Sequence, residues 1–176
     1  EHEYKNLLLV EQQNGHFGNT ILRLFYFSTY MKLFWRELNK ICLYEKLKQF
    51  ADQAQKETSY HAKHTGQWII RLGDGTEESH EKMKDATDTL QPFLGELFLE
   101  DPFAQQAYEH ELFPKPSSIS QKWQEEVKLI FGKCGLETGN INLQKNGGRR
   151  GEHTETFGYV LSDLQYMQRA FPNSKW

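Results

Sequence analysis

Cysteine is scarce in this chain, with only Cys42 and Cys134 among 176 residues. Two cysteines far apart in sequence cannot make a disulfide framework, and each sits in a helical pattern, so both read as buried free thiols. Neither has an activating partner nearby in the sequence, which leaves no case for a reactive thiol. Proline is also sparse, at five residues, and only Pro92 falls inside a periodic segment. No apolar run approaches the roughly 18 residues that a membrane-spanning helix needs. No signal peptide is visible. Positive charge is not in excess: 21 Lys and Arg face 24 Asp and Glu, for a net charge of -3. A nucleic-acid binder would usually carry a basic face, so that partner class is excluded. Strand signals are nearly absent. The sequence has no phosphate-loop pattern, no dinucleotide fingerprint and no Ser-His-Asp or Cys-His arrangement.

Helical periodicity is what the chain has instead, in an amount suited to one domain over residues 1–176. Residues 1–18 read as an irregular lead-in, with Leu7 to Val10 as a short apolar anchor. A first helix is expected over 19–39, capped by Asn19 or Thr20, with Ile21, Leu24, Phe25, Ser28, Met31, Trp35 and Leu38 facing inward. A second is expected over 43–72, its inward stripe running through Leu43, Leu47, Phe50, Ala54, Glu57, Thr58, His61, Ala62, Thr65, Trp68, Ile69 and Leu72, with Gly73-Asp74-Gly75 as a left-handed stop. A third covers 77–99, with Glu77 and Glu78 at its positive end and Pro92 to kink or divide it. A short helix at 102–112, a fourth long one at 119–134 behind a Ser118–Gln121 capping box, and a fifth at 152–171 complete the series. Helix one is aromatic nearly all round, with Phe25, Tyr26, Phe27, Tyr30, Phe34 and Trp35. Such a helix is covered on more than one side, by its own chain or by another protein.

Three blocks carry a resemblance. The first is Asn6-Leu7-Leu8-Leu9-Val10-Glu11-Gln12-Gln13-Asn14-Gly15-His16-Phe17. The second is Glu57-Thr58-Ser59-Tyr60-His61, followed by Arg71-Leu72-Gly73-Asp74-Gly75-Thr76. The third is Gly147-Gly148-Arg149-Arg150-Gly151-Glu152-His153-Thr154-Glu155 with the helix after it, ending in Pro172 and Trp176. In order and spacing the chain resembles the structural, non-catalytic C-type subunits of bacterial 1,2-phenylacetyl-CoA epoxidases. The resemblance implies an all-α, ferritin-like helical bundle that is degenerate as a metal site. It also implies an N-terminally shortened domain, because the family carries about two more helices ahead of Glu1. It implies phenylacetate catabolism in the cytoplasm and a hetero-oligomer with the di-iron catalytic subunit of the same oxygenase complex, with a homodimer as the state of the chain alone. No cofactor is expected on this chain.

The ligand pattern bears on that role independently. A di-iron bundle takes a carboxylate from each of two helices and a Glu-x-x-His pair from each of the other two. Helix two offers Glu57, but Tyr60 stands three residues later and His61 four. Helix one offers Ser28 at its central inward place, and its acidic residue, Glu37, lies near the end. Glu57, Tyr60, His61 and Ser28 therefore read as a buried, hydrogen-bonded relic of a metal site. His64 follows His61 at a spacing that can hold a metal but is commonly a surface coincidence. Glu152 and Glu155 fit the positive end of helix five. The loop of Gly148, Arg149, Arg150 and Gly151 has two readings: an anion site touching coenzyme A phosphates, or a connection whose arginines meet carboxylates of this or another subunit. Two other functional classes stay open at this level. One is a di-iron oxygenase whose remaining ligands lie outside the sequence. The other is a helical interaction module.

Overall fold

Two long helices dominate the computed structural model, which describes residues 4–139, 141 and 145–175, with Phe103 described for its backbone only. Helix α1 spans Phe17–Ile41 and α2 spans Glu45–Gly73, joined by three residues and lying antiparallel along their length. At 1.5 Å per residue they are about 37 and 43 Å long. Helices α3 (Glu77–Leu90) and α5 (Ser120–Phe131) pack across both, and α4 (Pro102–Glu109) and α6 (Phe157–Ala170) lie at the periphery. Short 3₁₀ turns at Leu8–Glu11, Gln91–Phe93, Gly95–Phe98, Pro116–Ile119 and Gly148–Arg150 fill the connections. Among the described residues there is no strand, and no helix is long and apolar enough to cross a membrane.

Helix α1 is the centre of the core because it is covered from several directions. Leu22 and Leu33 are fully buried, as are Phe25, Tyr26 and Tyr30 to within a few per cent. Trp123 of α5 donates its indole N–H to the Tyr26 carbonyl at 3.0 Å, and its ring lies 5.4 Å from both the Tyr26 and Phe98 rings. The Tyr26 phenol bonds Thr87, and burial pushes its pKa well above the usual tyrosine range. Phe34 meets Phe113, and Trp35 meets Phe50. The aromatic surplus of α1 is thus spent largely inside the chain. Leu24, expected inside, is 45% exposed.

The inward stripe of α2 keeps the expected Ala62, Thr65 and Ile69 and departs from expectation elsewhere in a way that has a packing reason. It consists of Ala51, Ala62, Thr65, Gly66, Ile69 and Gly73. Small residues let α2 approach a neighbour already crowded with rings. The bulkier Leu43 and Phe50 are turned out, at 83% and 57% exposed. Gly73 owes its place to this closeness: a Cβ there would lie 2.8 Å from the Cys134 sulfur. No left-handed residue ends the helix. Asp74 N–H closes on Ile70 at 2.9 Å, while Ser79 Oγ and His80 Nδ1 reach the carbonyls of Leu72 and Gly73, each at 2.6 Å.

Other boundaries shift for similar local reasons. Helix α1 begins two residues early, because Asn19 is buried and Thr20 bonds the Asn14 carbonyl instead of capping. Pro92 divides the third helix, leaving α3 and two 3₁₀ turns. Ser118 turns back to the Lys115 carbonyl, so no capping box forms ahead of α5. Both cysteines are buried and free.

Candidate functional site

The four residues read as a metal-site relic are not brought together. Ser28 is buried on α1. Glu57, Tyr60 and His61 sit on the exposed side of α2, with Tyr60 at 66% exposure. The buried hydrogen-bonded cluster expected from the sequence is therefore corrected. The stripe that faces α1 passes through Ala51, Ala62 and Thr65, and Glu57 falls on the other side of the helix. The Tyr60 ring instead rests against His61 and stacks on His64, at centroid distances of 5.8 and 6.0 Å. No group of three or more His, Cys, Asp or Glu residues among those described is arranged to hold a metal ion. The residues present do not fit a di-iron centre.

The buried carboxylates are elsewhere, at Glu96 and Glu11. Glu96 sits in the apolar run Phe93 to Leu99 and has no exposure at all. Its Oε1 accepts the backbone N–H groups of Gly147 and Gly148 at 3.0 and 2.9 Å, and its Oε2 accepts that of Leu8 at 2.7 Å. Burying a carboxylate is costly unless it is fully hydrogen-bonded, and three amide donors meet that demand. The backbone at Gly147 (φ 127°) and Gly151 (φ 84°) lies where side-chain-bearing residues are strained. Gly148 has a different reason. A Cβ there would overlap the Asn6 carbonyl oxygen and come within 3.0 Å of the Leu8 nitrogen. The glycines thus bend the chain into an anion-receiving concavity, and the anion it receives is the protein's own Glu96.

Glu11 completes a second junction beside the first. It is 1% exposed and accepts from the Asn6 side-chain amide at 2.7 Å, the Thr154 N–H at 2.8 Å and the Thr154 hydroxyl at 2.9 Å. His153 Nδ1 lies 2.7 Å from Glu11 Oε1, and Nε2 lies 3.0 Å from the Tyr4 carbonyl oxygen. The imidazole stacks on Phe157 at 3.9 Å, and Tyr4 meets the edge of the same ring. These bonds explain why α6 starts at Phe157 and not at 152. Glu152 is consequently not in a first helical turn.

The arginines hold the same loop in place. Arg149 Nη1 donates to the Leu99 carbonyl at 3.2 Å and lies 3.7 Å from Asp101, and its guanidinium also bonds Tyr30. Burial raises the Tyr30 phenol above its usual range. Arg150 forms a two-pronged contact with Glu152, both bonds 3.2 Å, and reaches Asn146 at 3.1 Å. Chemically this is a clamp. Two buried carboxylates and their donors tie the N-terminal turn to residues 147–154, and Arg149 ties the same loop to Leu99, Asp101 and Tyr30. Sequence reasoning noticed the loop and missed its anions. One signal was available for Glu96, an isolated acid inside an apolar run. Nothing marked Glu11.

Comparison with known proteins fits this picture. The family described as Phenylacetic acid catabolic protein matches residues 1–176. Among curated relatives, the C-type subunit of the 1,2-phenylacetyl-CoA epoxidase of Escherichia coli (strain K12) is 33% identical over 177 residues, covering 100% of this chain and 71% of that protein. The all-α, ferritin-like bundle expected from the resemblance is the fold of this family and matches the helices described above. On its sequence and its helical architecture, the chain belongs to the phenylacetic acid catabolic protein family.

Proposed function

We propose that this chain is the structural, non-catalytic subunit of a phenylacetyl-CoA ring-epoxidising monooxygenase, where it binds and stabilises the di-iron catalytic subunit. The observation that carries the reading is the chemistry of the two central helices. From Phe17 to Gly73, the buried positions of α1 and α2 hold Ser28, Thr29, Thr65 and the phenols of Tyr26 and Tyr30 as their hydroxyl groups, and no carboxylate or imidazole. A bundle that held two iron ions would need carboxylates there. Among the described residues the buried acids, Glu96 and Glu11, are committed to backbone and side-chain donors outside that region, which suits a scaffold. The relative from Escherichia coli, named for a phenylacetyl-CoA epoxidase of several subunits, supplies the substrate class and the expectation of partners.

The test is turnover of the assembled complex with Glu57 changed to Gln. Turnover is expected to stay within about threefold of the parent, because Glu57 is exposed on α2 and off the stripe that faces α1. A loss of several hundredfold with assembly intact would overturn the non-catalytic role. Iron measured per subunit in the same preparation gives a second check, with the metal expected on the partner.

A further inference from the structure

The hydrogen bonds around His153 fix how many protons its ring must carry. The side chain is 5% exposed, and that of Glu11 beside it 1%. Both ring nitrogens face oxygen atoms placed to accept. Nδ1 lies 2.7 Å from Glu11 Oε1, and Nε2 lies 3.0 Å from the Tyr4 carbonyl oxygen. A neutral imidazole has one N–H and can serve only one of them. Glu11 already accepts from the Asn6 side-chain amide, the Thr154 N–H and the Thr154 hydroxyl, so its carboxylate is arranged as an acceptor. Were Glu11 to carry the bridging hydrogen, the pair would still hold the same number of protons. The Phe157 ring lies nearly flat against the imidazole, with centroids 3.9 Å apart and planes 20° apart, and an aromatic face attracts a cation. Among the described residues Glu11 is the charged group in contact with the ring. The neighbouring charges are engaged elsewhere or turned to water. Glu96 serves Leu8, Gly147 and Gly148, Arg150 pairs with Glu152, and Lys5, Glu155 and Asp163 are exposed.

We propose that His153 is a proton-operated latch, whose imidazolium fastens the N-terminal segment at Tyr4 to the approach of α6 and whose loss of one proton frees the Tyr4 end. The hydrogen that remains goes to Nδ1, because a bond to a carboxylate is the stronger of the two. Nε2 then turns a lone pair toward the Tyr4 oxygen, and attraction becomes repulsion. The departing proton passes to water. Tyr4 has two further ties to α6, its ring against Phe157 and its hydroxyl accepting from Gln165 at 3.1 Å, and both loosen with it. Thr154 stays on Glu11, and the Asn6 N–H stays on the Gly148 carbonyl, so the opening is confined to the chain ahead of Asn6. An unfolded chain gives up the histidine proton in the ordinary range, near pH of about 6.5. The folded ring needs that proton for both of its bonds. The stabilisation is therefore complete below that range and is lost as rising pH strips the proton from the folded ring. The latch is closed in mild acid and opens in mild alkali.

The experiment compares the parent with His153→Gln by urea unfolding at about pH 6 and about pH 8.5, on either side of the histidine range. The chain has seven histidines, and the ratio of the two folding equilibrium constants cancels the contribution of the others. That ratio, parent over variant, is expected to fall by at least about tenfold from the acid to the alkaline end. A ratio that is unchanged or rises overturns the latch. Nitrogen NMR of the parent, labelled at histidine, gives a readout that does not need the variant to fold. The His153 ring, assigned through its contact with Phe157, is expected to carry hydrogen on both nitrogens at the acid end. As the pH rises, Nε2 is expected to lose its hydrogen in the same step in which the contact between the Tyr4 and Phe157 rings disappears. A ring nitrogen without hydrogen at the acid end overturns the proposal. So does loss of the Nε2 hydrogen with the Tyr4 contact intact, which would make the ion pair a fixed strut.

Discussion

Replacing Glu96 by alanine is the sharpest test of the clamp. The substitution removes a carboxylate with no exposure and strands three backbone donors, those of Leu8, Gly147 and Gly148. Hydrogen bonds to a charged acceptor contribute roughly 1.5–3 kcal/mol each, and simple addition would overstate the loss because water can enter the vacated space. Stripping one side of a buried charged contact commonly costs about 3–5 kcal/mol, and that range is expected here. For a chain of this size each kcal/mol lowers the melting temperature by roughly 2–4 °C, so the loss corresponds to about 6–20 °C.

Glutamine at 96 is the finer probe. Its carbonyl oxygen can still serve Gly147 and Gly148, but its amide then points N–H groups at the N–H of Leu8. One bond is lost, and the Leu8 N–H and the new amide N–H groups that face it are left unpaired, for about 1–3 kcal/mol. Denaturant unfolding of the two variants, with exchange protection of the Leu8, Gly147 and Gly148 amides, reads the outcome. The order parent, glutamine, alanine is expected, with protection lost at all three amides in the alanine variant. If the alanine variant unfolds within about 0.5 kcal/mol of the parent, the value for an ordinary surface change, the clamp does not hold the fold and the reasoning fails.

Gly148→Ala should destabilise by at least about 1–3 kcal/mol, because the added methyl overlaps the Asn6 carbonyl and must displace the N-terminal segment. Thermal unfolding checks it, and an unchanged midpoint would refute the close approach. On the far side of the molecule, Glu37 joins Lys40 and Lys122 at 3.0 Å each. Burial of Glu37 opposes ionisation, but its bonds to Lys40 and Lys122 outweigh it and bring the carboxyl below its ordinary pKa. A folded-state pKa below the unfolded one means the contact stabilises above the unfolded carboxylate range and is lost as pH falls through the lowered folded value. A double-mutant cycle of Glu37→Gln and Lys122→Met is therefore expected to give a coupling of about 0.2–1 kcal/mol near neutrality, vanishing in acid. Coupling that persists once the carboxyl is protonated in strong acid would contradict the assignment.

How far the sequence foretold this molecule differs by level. The existence and order of the helices followed from apolar periodicity, and Pro92 ended α3 as a residue lacking an N–H must. Facing was harder. Phe50 and Leu43 looked like core residues of α2 because they are large and apolar, yet Ala51 and Gly66 join the expected Ala62 on that face. Periodicity weighs hydrophobicity, whereas the contact with an aromatic α1 selects for small volume. The misplaced stripe carried Glu57 and His61 inward with it. The start of α6 was misjudged for a related reason. Glu152 and Glu155 look like a charged first turn, but the bonds from Thr154 and His153 to Glu11 hold that stretch out of the helix. The partner lies more than a hundred residues away, and no local pattern encodes such a pairing.

The glycine-arginine loop shows how one local chemistry serves two ends. Amides converging at a glycine turn, with arginines beside them, attract an anion whatever its source. In this chain a carboxylate from the Gly95–Phe98 turn reaches the Gly147 and Gly148 amides, Asp101 and Tyr30 engage Arg149, and Glu152 engages Arg150. An incoming phosphate would have to displace Glu96, which would leave that carboxylate buried without donors, at a cost of several kcal/mol. The loop is therefore best understood as the fastening that sets α6 in place. Beside that site, the bonds of Thr154 and His153 to Glu11 fix the stretch that leads into α6. Buried charge in this way anchors the start of α6 to the N-terminal turn.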